Sequence, residues 1–198
     1  MVAASFSHVR AWVFDLDNTL YPPEARLFDQ IEVRMTDFVQ RALGVDRAEA
    51  DRLRASYWAR YGTTLAGLMN EHGVDPGPHL YEVHEIGLSH LDPDPDLAAA
   101  IQRLPGRRIV YTNGSKPYAE RVLAARGLPS SANTAFEAVF ALDGLAPEEG
   151  AMFEDDIRNL AAPHAMGMRT VHVGPEPLPH PHIHHHTSDL AGFLSQLG

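Results

Sequence analysis

The sequence predicts an α/β fold, a parallel sheet with helices on both faces and a helical cap subdomain inserted after the first strand. Three observations predict it. Short apolar runs at residues 11–14, 109–111 and 151–153 are bounded by polar turn residues, as suits strands buried on both faces. Amphipathic helical patterns alternate with them, and strands separated by helices assemble into a parallel sheet. The stretch from Glu24 to Leu91 is helical in pattern throughout and, at roughly 70 residues, is too long for a crossover alone.

Composition agrees. The chain has 198 residues, 44% of them hydrophobic and 21% charged, enough to bury a core in one domain plus a subdomain. A net charge of -10 argues against a nucleic acid polymer or an anionic membrane as partner, since both are bound through clustered Lys and Arg. The absence of cysteine excludes thiolate catalysis and disulfide scaffolding and fits a cytoplasmic protein. No run approaches the roughly 18 apolar residues of a membrane span, and no secretory signal is expected at the N-terminus.

In chain order, residues 11–14 form a strand that ends at Asp15. Ile31, Met35, Phe38, Val39 and Leu43 recur at helical spacing, with Gly44 as the stop. Helices follow at 47–61, 64–72 and 79–89, and the Asp92-Pro93-Asp94-Pro95 break returns the chain to the sheet. A helix at 97–104, a strand at 107–112 and a helix at 116–126 closed by Gly127 come next. A strand at 151–154, a helix at 158–166, a strand at 170–173 and a terminal helix at 188–197 complete the pattern. The expected division is a core of residues 1–20 and 96–198 and a cap of residues 21–95. The result is Rossmann-like, with ligands expected beyond the carboxyl ends of the strands. His180, His182, His184, His185 and His186 lie among four prolines, and the segment reads as an exposed loop able to take up a transition metal opportunistically.

Three strand ends carry polar chemistry. Asp15-Leu16-Asp17-Asn18-Thr19-Leu20 can aim two carboxylates into one crevice. Leu20 stands where a calcium loop needs glycine, so that reading fails, while a capped turn remains the structural alternative. Thr112-Asn113-Gly114-Ser115 offers a hydroxyl and free backbone N–H groups at a helix start, an anion site by dipole and geometry or simply an N-cap. Phe153-Glu154-Asp155-Asp156 ends a third strand with three acids, and Asn159 follows. Beside Asp15 and Asp17 these acids would repel unless a hard cation such as Mg²⁺ were bound; alternatively Glu154, Asp156 and Asn159 cap the next helix.

Together these segments resemble the haloacid dehalogenase-like (HAD) hydrolase superfamily over nearly the whole chain. With Tyr21-Pro22 and Tyr61-Gly62-Thr63-Thr64-Leu65 added, they look like its pyrimidine 5′-nucleotidase branch. The resemblance implies a Mg²⁺-dependent phosphatase acting on a small phosphorylated metabolite, a nucleotide above all. It makes Asp15 the nucleophile that forms an aspartyl-phosphate and Asp17 the general acid and base. Thr112, Asn113 and Gly114 would hold phosphate oxygens. Asp15, the Asp17 carbonyl, Asp155 and Glu154 would hold the metal. The superfamily's dehalogenases generally lack the second carboxylate, which favours phosphate chemistry.

The chain departs from that pattern in one segment. The family carries a lysine between the Thr motif and the acidic motif, and here Lys116, the sole lysine, directly follows the Thr motif. Residues 127–133 lead straight into 134–142, and 136–142 followed by Gly144-Leu145-Ala146-Pro147 resembles the end of the helix after the missing lysine. One strand and its loop are therefore expected to be absent; Lys116 and, more remotely, Arg126 are the candidates to replace the phosphate cation, although a lysine in the first turn after Thr112 more often faces solvent. Without a substitute the chain would be a catalytically impaired phosphate- or nucleotide-binding protein; a sugar phosphomutase is a third alternative. In the cap, Tyr57, Trp58 and Tyr61 suit either a face for a base or helix packing, and Gly62-Thr63-Thr64 is a specificity candidate.

Overall fold

The computed structural model describes residues 2–129, 133–134 and 146–198. The chain divides into two compact units, Met1–Ala25 with Ser89–Gly198, and Arg26–Leu88; the sequence reading set these limits at 21 and 95.

Among the described residues the first unit is built on a six-stranded sheet in the order β3-β2-β1-β4-β5-β6, with every pairing parallel. Its strands are β1 (Ala11–Asp15), β2 (Arg107–Tyr111), β3 (Asn133–Thr134), β4 (Gly150–Glu154), β5 (Arg169–Val173) and β6 (His185–Thr187). All five residues of β1 and of β4 are buried, which is why each reads as an unbroken apolar run. Successive strands step outward from β1 to β3, then restart at β4 on the other side of β1, so the order reverses between β1 and β4. A crevice opens at the carboxyl ends of such a pair. Register sets Phe14 level with Val110 and Phe153, so Asp15, Thr112 and Glu154 emerge along one edge.

Helices α5 (Pro95–Arg103), α6 (Lys116–Ala125), α7 (Ala161–Ala165) and α8 (Leu190–Leu194) belong to this unit. Val13, Ile109, Met152, Leu160 and Met168 form a core cluster, and Phe14 stacks on Phe153 with ring centroids 4.9 Å apart. Trp12 is fully buried because its indole N–H reaches the Pro105 carbonyl at 2.6 Å. Arg126 donates to the Leu20 carbonyl (3.1 Å), the Asp92 carbonyl (2.5 Å) and the Asp94 carboxylate (2.6 Å), and Asp94 also caps α5. Its guanidinium is committed to the chain itself, which removes it as a phosphate cation.

Two sequence expectations are corrected here. The strand expected to be absent is present: Asn133 and Thr134 pair with Ile109 and Val110 at the sheet edge. Two polar residues make no apolar run, so hydrophobic patterning passes over them. The helix end read at 136–142 lies outside the described residues. The His-rich segment is not wholly loop. His185–Thr187 forms the opposite edge strand, with Thr170 Oγ1 donating to the His182 carbonyl at 2.6 Å and the Thr170 amide donating to His184 Nδ1 at 3.1 Å. Backbone pairing, which side-chain polarity does not reveal, decides that strand. Helix 158–166 shortens to α7 because Asp156 bonds the Arg158 amide at 3.0 Å and holds a turn open before it.

The second unit consists of α1 (Leu27–Leu43), α2 (Arg47–Tyr61), α3 (Thr64–His72) and α4 (Pro76–Val83). Asp46, Thr63 and Asp75 cap the last three, and Gly44, with φ 66°, ends α1 in the left-handed region. A Cβ at Gly67 would fall 2.2 Å from Tyr57 Cγ, so only glycine lets α3 close on the buried tyrosine ring. Among the described residues no helix is long and apolar enough to cross a membrane.

His79 makes this unit acid-sensitive. It is 4% exposed, lies edge-on to Phe38 at 4.9 Å, and neither ring nitrogen has a hydrogen-bond partner among the described residues. Burial, and then the neighbouring His84, lower its pKa to about 4. The unfolded chain takes up this proton near pH 6.5 and the folded one refuses it. The stability is therefore complete above about 6.5 and is lost as the pH falls toward 4, by up to about 3 kcal/mol. Urea titrations at pH 7 and 4.5 should show His79→Leu losing less stability than the parent chain by about 2 kcal/mol; parallel losses would refute the assignment.

Candidate active site

Asp15 closes β1 and is 8% exposed. The chain turns immediately after it. Leu20 donates its amide to the Leu16 carbonyl at 3.1 Å, and Asn18 takes φ 60°, a left-handed conformation that asparagine tolerates better than most residues. This turn returns Asn18 to the end of β4, where its side chain favours the charged form of the Asp155 carboxyl. Asp15, Glu154 and Asp155 each present a carboxylate oxygen, all within 4.8 Å of one another.

The electrostatics of that cluster are unfavourable on its own. Burial raises the Asp15 pKa well above the ordinary carboxylate range, and Glu154, Asp17 and Asp155 add to the shift. Burial likewise raises Glu154, which is 2% exposed, and Asp155. Two ionised carboxylates 4.8 Å apart repel by roughly 3 kcal/mol at an effective dielectric near 20. Three oxygen donors in a dry, mutually repelling set are the donor chemistry of a hard divalent cation, and the residues fit Mg²⁺. The surroundings hold them in place. Glu154 accepts the Asp156 amide at 3.1 Å, while His172 donates from Nε2 to the Asp155 carbonyl at 3.1 Å. Asp156 turns away to pair with Arg158.

Thr112 stands one residue beyond β2 and is 3% exposed. Its hydroxyl oxygen accepts the Gly114 amide at 2.9 Å, and Ser115 caps α6. A Cβ at Gly114 would approach Tyr118 Cδ1 to 2.8 Å, so the turn is built around glycine. Thr112, Asn113 and Gly114 thus precede the positive end of a ten-residue helix. Lys116 does not join them. Its side chain is 70% exposed and its ammonium lies 3.8 Å from Glu120, one turn along the same helix face.

Sequence reasoning missed two tyrosines. Tyr21 and Tyr118, each 1% exposed, donate their hydroxyls to the same oxygen of Asp17, Oδ1, at 2.7 and 2.6 Å. Burial, and then the Asp17 charge, push both phenols up, so each remains a donor. Tyr21 is visible as a residue four places after Asp17, but nothing local marks Tyr118, which is 101 residues away. In the helical unit Tyr57 is core: it is fully buried and its hydroxyl meets His72 Nε2 at 2.6 Å. Trp58 is half exposed, the Tyr61 hydroxyl donates to Glu71 at 2.9 Å, and Gly62 and Thr63 serve as helix stop and cap.

A cleft of about 780 Å³ begins at Asn18 and Asp155 and is walled by Glu24, Glu176 and Asp189 among others. The family model for haloacid dehalogenase-like hydrolases matches residues 9–167, which contain Asp15, Asp17, Thr112, Glu154 and Asp155. The chain belongs to the haloacid dehalogenase-like hydrolases. Phosphate metabolism protein 8 of Saccharomyces cerevisiae is 26% identical over 129 residues, 60% of this chain and 40% of that protein. The hydrolase therefore spans about two fifths of the length of that curated relative. Among solved structures, a HAD phosphatase from Thermococcus onnurineus aligns at TM-score 0.60 and 18% identity, over 96% of this chain and 98% of that one. An L-2-haloacid dehalogenase aligns at 0.56 and 18%, over 96% and 100%. The Rhodobacter sphaeroides protein CbbY, in complex with a xylulose bisphosphate, aligns at 0.56 and 21%, over 92% and 95%. Such identities establish the fold of this hydrolase, and the chemistry has to be argued from its own residues.

Proposed function

We propose that this hydrolase is a Mg²⁺-dependent phosphomonoesterase that forms an aspartyl-phosphate on Asp15 and acts on nucleoside monophosphates, in the manner of a pyrimidine 5′-nucleotidase. The observation that carries the reading is the pair of carboxylates on one turn with different surroundings. Asp15 is buried among acids, whereas Asp17 sits two residues on, half-buried and hydrogen-bonded by phenols. Carbon–halogen cleavage needs a nucleophile but no proton for its leaving halide, while an alkoxide leaving from phosphorus needs one.

An Asp15 oxygen attacks phosphorus, the bond to the ester oxygen breaks with its electron pair, and Asp17 gives that oxygen a proton. Water then attacks the acyl phosphate, Asp17 takes the proton back, and the bond to Asp15 breaks to release inorganic phosphate. Thr112 and the Asn113 and Gly114 amides orient the phosphoryl oxygens. Asp15, Asp155, Glu154 and the Asp17 carbonyl would hold Mg²⁺, which when bound supplies positive charge against the phosphoryl oxygens. The acidic cleft walls favour an uncharged leaving group such as a nucleoside over a second phosphate, which argues against a bisphosphate-using phosphomutase. The name of the yeast relative is in keeping with phosphate chemistry, and the lack of cysteine with a cytoplasmic location.

Phosphate release from UMP, CMP and p-nitrophenyl phosphate should be abolished by EDTA and restored by excess Mg²⁺. A second reading has one observation in its favour. The leading charges on Asp15 are all negative, and Lys116, the sole lysine, faces solvent. Calorimetric binding of a nucleotide with no phosphate released under any metal condition would establish that reading, a phosphate-binding protein without turnover.

A further inference from the structure

The Tyr21–Tyr118 pair carries an inference that deepens the phosphomonoesterase reading and rests on it. We propose that these two tyrosines are positioning residues that decide which oxygen of Asp17 exchanges the proton: they saturate Oδ1, so that Oδ2 alone carries it to the leaving group and takes it back from water.

A carboxylate oxygen has two lone pairs for hydrogen bonds in its plane. Oδ1 of Asp17 already accepts two hydroxyls, Tyr118 at 2.6 Å and Tyr21 at 2.7 Å. The two hydroxyl oxygens are 3.4 Å apart, so each phenol is closer to the carboxylate than to the other. A proton on Oδ1 would displace one of these buried donors from its short bond to the carboxylate, a costly exchange. Protonation of Oδ2 disturbs neither bond. The same contacts stop the short Asp17 side chain from rotating, because the phenols come from different elements. Tyr21 ends the turn that bears Asp17, and Tyr118 projects from α6, where its ring packs beside Gly114. An acid delivers its proton efficiently only from a fixed position within hydrogen-bond reach of the leaving oxygen, and the phenols supply that fixity without touching the reacting atoms.

The effect depends on the leaving group, which separates it from general support of the fold. p-Nitrophenolate departs without a proton, whereas a nucleoside alkoxide requires one. kcat/KM reports the steps through phosphoryl transfer to Asp15 and is unaffected by slow hydrolysis of the intermediate. Tyr118→Phe and Tyr21→Phe should each lower kcat/KM for UMP by about ten-fold or more, and for p-nitrophenyl phosphate by no more than about three-fold. Asp17→Asn should show the same bias, enlarged. Circular dichroism and thermal midpoints establish that each variant is folded; if one is not, the other probes the same oxygen from the opposite side. Equal losses on the two esters, or none, in a folded variant of an active enzyme would overturn the role of the tyrosines and leave the phosphomonoesterase reading intact. A parent chain that turns over neither ester would remove that reading and this inference with it.

Discussion

Asp15→Asn is expected to lower phosphate release by about four orders of magnitude or more while leaving the protein folded. The carboxamide keeps the shape of the side chain at the end of β1 but has no nucleophilic oxygen, and in the proposed mechanism Asp155 and Glu154 are given to the metal and Asp17 to proton transfer. Intact-mass measurement after an acid quench checks the mechanism apart from the rate. The parent chain should gain one phosphoryl group during turnover and the variant none. The substitution also removes a charge that burial, Glu154, Asp17 and Asp155 all disfavour, so the metal-free variant should unfold at a temperature equal to or above that of the parent. Turnover within ten-fold of the parent, or a phosphoryl group mapped to another residue, would show that Asp15 is not the nucleophile.

That site was legible to the extent that parallel strands make it so. Residues 11–14 and 151–153 are apolar because β1 and β4 are buried throughout, Ile109 and Val110 are the buried part of β2, and parallel strands put all their carboxyl ends on one edge. Once the runs are recognised, Asp15, Thr112, Glu154 and Asp155 fall together without further assumption. What escaped depends on contacts that no local pattern encodes. Asn133–Thr134 is a strand only because β2 offers it an edge, and His185–Thr187 only because β5 does. Lys116 is the one lysine, but in the first turn of α6 its direction is set by the helix, which carries it outward to Glu120. Tyr118 looks like ordinary apolar helix filling, and its hydroxyl gains a purpose only through an aspartate 101 residues earlier.

Asp155→Asn is expected to separate stability from activity at the carboxylate cluster. In the metal-free protein, Asp155 stands among buried acids whose oxygens lie within 4.8 Å, and neutralising it relieves repulsion of roughly 3 kcal/mol per ionised pair, reduced to the extent that protonation already relieves it. The metal-free variant should therefore melt at least as high as the parent. With Mg²⁺ the order reverses. A cation that binds only the folded chain stabilises it by about 2.7 kcal/mol at a concentration one hundred times its dissociation constant, and losing a charged ligand weakens that binding. The parent midpoint should rise steeply with added Mg²⁺ and the variant's hardly at all, while phosphate release by the variant falls about 100-fold or more. Glu154→Gln should follow the same pattern, because its carboxylate is more deeply buried than that of Asp155 and belongs to the same cluster. A surface acid such as Glu120, which faces solvent beside Lys116, supplies the control: Glu120→Gln should leave the Mg²⁺ response unchanged. If the parent midpoint fails to respond to Mg²⁺, or if Asp155→Asn responds as the parent does, these oxygens do not form the cation site.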